Sequence, residues 1–271
     1  MTFSELSNMF NRAFLHAFSK KKLLFVFVIL ACSGLFAVIC KGIISYVNPW
    51  MATMLVFLPF CAGCALLFPA GITLIRLYHD EIKRREVSFL KVCMGSWKAL
   101  TSSLYLIFPL ILSYLLLWVF LGFFVFIRGM PVVGTIIEML FAFVPYLLVL
   151  GFLVLGVLAI SVLFFVSPLV ALNEKDSYRM VPLVISRLKQ NVLGNVVFFI
   201  VGTLPALIVT VFLLFTAFFV SMEYLPFKCI VQAILQWFFV MLPMALFLSP
   251  FVVFFFNFAA EAHVACKNHN R

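Results

Sequence analysis

The sequence predicts an all-α polytopic membrane bundle of six transmembrane helices, with three amphipathic interfacial helices and a threefold repeat of helical hairpins. Hydrophobic residues make up 66% of the 271 residues, which leaves too little polar surface for a separate soluble domain. Six stretches carry no charge, and each reaches the roughly 18 apolar residues that mark a membrane-spanning helix. Residues 1–271 are therefore predicted to form a single integral membrane domain. The predicted spans are about 23–46, 51–77, 99–127, 139–171, 191–221 and 230–260.

The segment before the first span, residues 1–22, has the pattern of an amphipathic interfacial helix. Its apolar residues fall on one stripe at helical spacing, opposite Arg12 and His16, and such a helix is expected to lie in the membrane interface. Similar patterns precede the third span, at about residues 89–98, and the fifth, at about 181–190. The stripe consists of Phe3, Leu6, Phe10, Ala13, Phe14, Ala17 and Phe18.

Each even-numbered span has a proline near one end, at Pro69, Pro168 and Pro250. A proline removes a backbone donor and bends a helix, so neighbouring groups must satisfy the freed carbonyl. Because each proline belongs to a unit of interfacial helix and hairpin, the pattern predicts a threefold repeat. Residues 261–271 are predicted to be an unstructured cytoplasmic tail.

The distribution of Lys and Arg predicts the orientation. Sixteen of the 19 basic residues lie in the N-terminal stretch, two alternate loops and the tail, whereas Lys41, Arg128 and Lys228 are the basic residues of the other three connections. Positively charged segments remain on the cytoplasmic side, so both termini are predicted to be cytoplasmic.

The net charge of +10 is best explained by this topology and by contact with anionic lipid headgroups, because the basic residues lie close to helix ends. We therefore predict no nucleic-acid partner. Membrane lipids, mostly anionic, are the expected partners, together with a protein partner or a second copy of the chain. The residues predicted to bind lipid or partner are Lys20, Lys21, Lys22, Lys83, Arg84, Arg85, Arg187 and Lys189.

Inside the spans the polar residues are mostly single hydroxyls, which usually bond to their own helix or join neighbouring helices. Gln232, Gln236 and Asn257 in the last span are the best candidates for an intramembrane polar site, since the two glutamines are one turn apart. The alternative is that these amides only join helices.

The sequence contains only weak motifs for redox chemistry, metal binding or processing. Cys61-Ala-Gly-Cys64 has the spacing of a redox motif, but apolar surroundings disfavour the thiolate. His263, Cys266 and His269 could hold a metal, although a solvated tail is the better interpretation. Lys20-Lys21-Lys22 followed by an apolar run and Cys32 is similar to a lipoprotein signal, yet cleavage would remove the first span. We predict no metal site and no cofactor.

No nucleophile turn, zinc motif or phosphate-binding loop is present in the sequence. His79 and Asp80 form an acid/base pair beside Arg84 and Arg85 that would suit attack on a lipid phosphate. A solvated, salt-bridged connector that binds anionic lipid explains the same residues. We therefore predict no catalytic residue.

The run from Ser167-Pro168-Leu169 to Glu174, followed by an amphipathic helix around Ser186, resembles a pattern in certain bacterial multi-pass proteins. These include the membrane domain of some glycerophosphodiester phosphodiesterases and related six-helix inner-membrane proteins. The chain lacks the soluble phosphodiesterase domain. The resemblance implies a bacterial inner-membrane bundle concerned with envelope or lipid homeostasis.

Two functions are consistent with these features. The first is a non-enzymatic inner-membrane protein whose basic cytoplasmic face binds anionic lipid or a partner. The alternative is a carrier or channel for a neutral or amphipathic solute, with proline-broken helices and the amides of the last span as its site.

Overall fold

The structure is a computed structural model that describes residues 3–44, 46–85, 89–130, 139–172, 192–223 and 230–269. These residues are almost entirely helical and include no strand. Six of the helices are long and apolar enough to cross a membrane, which confirms the predicted fold class. The helices are α1 (Phe3–Leu15), α2 (Lys20–Ile44), α3 (Pro49–Ile82), α4 (Phe89–Arg128), α5 (Val144–Leu172), α6 (Val192–Glu223) and α7 (Ile230–His269), with a short 3-10 helix, His16–Phe18, after α1.

Two helices extend well beyond their predicted ends. The predicted interfacial segment 89–98 is continuous with the third span and forms the first turns of α4, because no proline separates the two. The expectation of an unstructured tail after residue 260 is wrong for residues 261–269, which continue α7. Glu261 in this extension is buried and bonded to other helices. The predicted interfacial helix at 181–190 lies outside the described residues.

The helices pack in a cyclic order. The three even-numbered spans, α3, α5 and α7, pack against one another in the centre. Around them α2 packs against α3 and α7, and α4 packs against α3 and α5. The third outer helix, α6, packs against α7, and its Phe199 ring lies 5.8 Å from the Phe164 ring of α5. Each outer helix therefore contacts the inner helix of its own hairpin and that of the preceding one, and the contact of α6 with α5 is made by aromatic rings.

The core occupies one half of this bundle. Buried side chains are concentrated in residues 68–75 of α3, 163–171 of α5 and 252–263 of α7, and all three segments contain or follow the repeated prolines. The other halves of the outer helices carry many exposed apolar side chains, as expected for surfaces that face lipid. In the core half, α7 is buried on all sides, which identifies it as the central helix.

Two glycines allow the close packing of this half. A Cβ atom at Gly71 would overlap the ring of Phe256, and one at Gly202 would lie 2.6 Å from the Phe164 ring and 2.9 Å from the Phe258 ring. These positions therefore join α3 to α7 and α6 to its two inner neighbours.

The N-terminal helix α1 packs against the bundle. Met9, Ala13 and Ala17 are buried on one face, and the ring of Phe10 lies 4.9 Å from that of Phe254 in α7. Phe14, another residue of the predicted apolar stripe, is 40% exposed. The stripe is thus shared between a protein contact and an exposed apolar edge.

Candidate functional site at the charged end

The bundle has one end rich in charged residues, which we call the charged end. It consists of α1, the first turn of α2, the last two turns of α3 and its cap at residues 83–85, and α7 from Asn257 onward. These segments meet because α1 packs on α7 while α2 packs on both α3 and α7. Both terminal helices therefore lie at the same end as the loop after the second span.

A buried lysine lies at the centre of this end. The Lys22 side chain is 1% exposed, and its Nζ atom donates a 2.6 Å hydrogen bond to Oε2 of Glu81. The same ammonium lies 5.2 Å from the ring centroid of Tyr78. His16 Nδ1 is 3.5 Å from the same Glu81 oxygen. Because a buried ammonium requires a counter-charge, Glu81 holds the start of α2 against the end of α3.

A second carboxylate, Glu261, connects α7 to the same cluster. The Tyr78 hydroxyl donates a 2.6 Å hydrogen bond to Oε1 of Glu261. Arg12 of α1 reaches the same oxygen with one guanidinium nitrogen at 3.6 Å. Tyr78 therefore contacts both halves of the network, the Lys22 ammonium through its ring and the Glu261 carboxylate through its hydroxyl.

Two further bonds between helices accompany this network. Asn257, which is fully buried, donates from Nδ2 to the carbonyl oxygen of Ala13 at 3.3 Å and so joins α7 to α1. Its Oδ1 atom has no hydrogen-bond partner in the part of the chain that the structure describes. Arg76 donates from Nε to the carbonyl oxygen of Ala171 at 3.1 Å, which places a cation at the C-terminal end of α5.

A small cavity of about 140 Å³ opens beside the network. Arg12 and Lys83 supply positive charge to its wall, and His79 supplies a ring nitrogen. The remaining lining includes the Glu261 and Tyr78 pair and an apolar side formed by Ile82, Leu172, Ala260 and Val264. The cavity is therefore amphipathic, with basic groups and a hydrocarbon wall.

Five exposed basic residues surround the network. Among the described residues, none of them takes part in the ion pairs, which use Arg12, His16 and Lys22. The acidic side chains Glu81 and Glu261 are already engaged by those three partners. The five are Lys20, Lys21, Lys83, Arg84 and Arg85.

Arg84 has a backbone role as well as a charge. It adopts a φ of 51°, the left-handed conformation that favours glycine. Its amide donates to the carbonyl of Glu81 at 3.1 Å, and the Arg85 amide donates to that of Asp80 at 3.0 Å. This pair of bonds is the Schellman arrangement that terminates a helix, and Arg84 is its left-handed residue, directly after the Lys83 cap of α3.

The structure corrects two groups of predicted site residues. Lys22 was expected to contact headgroups, but its ammonium is buried against Glu81 and is not available to lipid. Gln232 is exposed near the start of α7, whereas Asn257 is fully buried at the charged end. Gln236 and Asn257 are 21 residues apart on one helix, or about 30 Å, so the three amides do not form one intramembrane site. Arg187 and Lys189 lie outside the described residues.

Sequence reasoning missed Tyr78, Glu261, Glu81 and Arg12 as members of one cluster. Tyr78 and Glu261 are separated by 183 residues, so only the packing of α3 on α7 brings them together. One signal was present in the sequence, because Glu81 and Glu261 each lie within a few residues of the end of an even-numbered apolar run.

Among the described residues, no three His, Cys, Asp or Glu side chains are grouped as a metal site. Cys61 and Cys64 are both free thiols.

The fold and the charged end together define a class: a multi-pass α-helical membrane protein with a basic, ion-paired end. Comparisons of the chain with protein-family models, with curated proteins and with solved structures give no match. The resemblance to the membrane domain of glycerophosphodiester phosphodiesterases stays a prediction.

Proposed function

We propose that the protein is a non-enzymatic membrane protein that binds anionic lipid headgroups at its charged end. The observation that carries this proposal is that the acidic groups of the network are used in ion pairs, whereas the basic residues around it are exposed. The network uses Glu81 and Glu261 internally, and the exposed cations around it are left without an ion pair in the described residues. Such cations attract anionic lipid at about 1 kcal/mol per residue near the surface.

The cavity at the charged end supports the same ligand class. A lipid phosphate accepts hydrogen bonds from guanidinium and ammonium groups, which Arg12 and Lys83 provide on its wall. Ile82, Leu172 and Val264 provide an apolar side for the adjoining glycerol and acyl carbons. The cavity thus matches a phosphate attached to an apolar group.

The proposed location is the inner membrane of a bacterium, with the charged end and both termini in the cytoplasm. Support comes from the excess of Lys and Arg on this side of the spans, and from the position of α1 and the end of α7 at one end of the bundle. The proposed role is in envelope or lipid homeostasis, where an inner leaflet rich in anionic lipid meets this surface.

The test is to reconstitute the protein in vesicles with equal amounts of phosphatidylglycerol and phosphatidylcholine and to count the retained lipids by native mass spectrometry. The variant Lys83→Gln/Arg85→Gln removes two charges from the charged end and leaves the cap residue Arg84 in place. Loss of about 2 kcal/mol, at 1 kcal/mol per charge, lowers the preference for phosphatidylglycerol about 30-fold.

The matched control is Lys41→Gln/Arg128→Gln, which removes two charges from the opposite ends of α2 and α4. It is expected to keep the preference for phosphatidylglycerol. Equal loss in both double variants, or no loss in either, would contradict the proposal. A second protein or a second copy of the chain, retained at fixed stoichiometry and lost only in the charged-end variant, would replace lipid as the proposed partner.

A further inference from the structure

A cavity lies between α3, α4 and α5, and none of its lining residues belongs to the charged end. We call it the lateral groove. It has a volume of about 280 Å³ and extends along α3 from Met54 to Phe68. All three helices are long and apolar enough to cross a membrane. None of the residues that line the cavity at the charged end lines this groove.

The lining of the lateral groove is suited to hydrocarbon. Its side chains are apolar apart from the thiols of Cys61 and Cys64 and the Tyr114 hydroxyl, which donates a 3.0 Å hydrogen bond to the carbonyl oxygen of Met54. The rings of Phe57 and Phe152 stack with their centroids 4.6 Å apart and form part of the wall. No charged side chain lines it. A polar ligand would lose its hydration here without gaining hydrogen-bond partners.

The groove opens sideways toward the membrane. Three residues of its lining, Phe60, Ile111 and Leu115, are between 42% and 49% exposed at the surface of the spans. Hydrocarbon rather than water surrounds this part of a membrane protein. The side chains of an empty groove would lack dispersion contacts on one side. An apolar group from the bilayer that enters the groove supplies these contacts and is stabilised by them.

The shape of the groove selects among apolar groups. Met54 and Phe68 are 14 residues apart on one helix, which corresponds to about 21 Å. The volume is nearly twice that of the apolar cavity of about 150 Å³ that holds one benzene molecule. A space that is long for its volume fits an extended chain better than a compact or fused-ring molecule.

We propose that the lateral groove binds one linear acyl chain of a membrane lipid. α3 begins at Pro49, at the end of the bundle opposite the charged end, so Met54 marks the groove end nearest that surface. The lipid therefore belongs to the leaflet opposite the charged end, with its carboxyl carbons beside Met54 and its methyl end beside Phe68. Tyr114, Phe57 and Phe152 hold the chain by packing alone.

Photo-crosslinking in vesicles tests this directly. The probes are two phosphatidylcholines that carry a diazirine either near the carboxyl carbon or at the methyl end of one palmitoyl chain. The first is expected to label the α3 peptide near Met54, and the second the peptide near Phe68. Labelling spread evenly over the lipid-facing residues of α4 and α6, or in the reverse order along α3, would overturn the proposal.

A substitution that fills the lateral groove provides a variant for the same labelling assay. Ala159→Phe places a ring among the lining residues and is expected to lower α3 labelling about tenfold, the equivalent of about 1.4 kcal/mol. The control Val154→Phe adds the same ring to the same helix at a lipid-facing position outside the lining. Equal labelling in the two variants would refute the assignment.

A competition measurement on the unmodified chain does not depend on the folding of any variant. Decane and adamantane have the same number of carbon atoms but differ in shape, one linear and one a compact cage. Decane is expected to displace the methyl-end probe from α3, whereas adamantane leaves the labelling unchanged. Equal displacement by both compounds would exclude selection for a linear chain. Because these measurements concern α3 between residues 54 and 68, they can fail while headgroup binding at the charged end stands.

Discussion

The ion pair between Lys22 and Glu81 is predicted to respond unequally to loss of its two members. The Lys22 side chain is 1% exposed, whereas that of Glu81 is 37% exposed. Glu81→Gln leaves a buried ammonium without a counter-charge, and breaking a buried pair in this way costs about 3 to 5 kcal/mol. The lower value applies, because water reaches the Glu81 side of the pair.

Lys22→Met has the opposite effect on the buried site. It removes the group whose desolvation is costly and fills the same space with an apolar chain, and the remaining Glu81 carboxylate is accessible to water. Replacing a buried charge with an apolar side chain of similar size is close to neutral, so we expect a change of about 1 kcal/mol or less. The double variant is expected to be as stable as Lys22→Met alone.

The measurement is equilibrium unfolding in mixed micelles, in which a denaturing detergent is titrated and tryptophan fluorescence is followed. Lys21→Met, one residue away and exposed, is the control and is expected to change the free energy of unfolding by about 0.5 kcal/mol at most. If Lys22→Met destabilises as much as Glu81→Gln, or if the two effects add in the double variant, the argument from burial is refuted.

Two further substitutions test the packing and the helix cap. Gly71→Ala places a methyl group against the buried ring of Phe256 and is expected to lower the free energy of unfolding by about 1 to 3 kcal/mol. Its control, Gly156→Ala, meets the nearest side chain at an ordinary 3.4 Å. Because alanine has the higher helix propensity, this control is expected to lose no stability, and a loss as large at Gly156 would show that overlap with the Phe256 ring is not the cause. Arg84→Gly relieves the left-handed backbone and is expected to stabilise the end of α3 by about 1 kcal/mol, measured as slower amide exchange in its last turn. Unchanged or faster exchange would mean that the arginine side chain stabilises the cap more than its backbone strains it.

The six spans could be predicted from the sequence because hydrocarbon imposes a simple requirement of length and low charge. The ends of the spans were harder to predict. In α4 and α7 no proline or charged turn ends the helix at the boundary of the hydrocarbon layer, so the helix continues past the apolar run. Hydropathy reports where lipid begins, and it does not report where a helix ends.

The network at the charged end could not be predicted for a different reason. A basic residue at a helix end normally faces the headgroups, and Lys20, Lys21 and Lys22 are adjacent in the sequence. Only the direction of each side chain separates the buried third lysine from the exposed first two. That direction depends on Glu81 and Tyr78, whose helix must first pack beside α2.

The cyclic packing of the hairpins has a consequence for biosynthesis. Lys22 and Glu81 belong to the first hairpin, so their bond can form as soon as α2 and α3 have entered the membrane. The partners of α1, Asn257 and Glu261, are in the final helix. The amino-terminal helix is translated first and receives its binding surface last. Until the 40-residue helix α7 has entered the membrane, the face of α1 that packs on it lacks this partner, and α7 then closes the ring of helices.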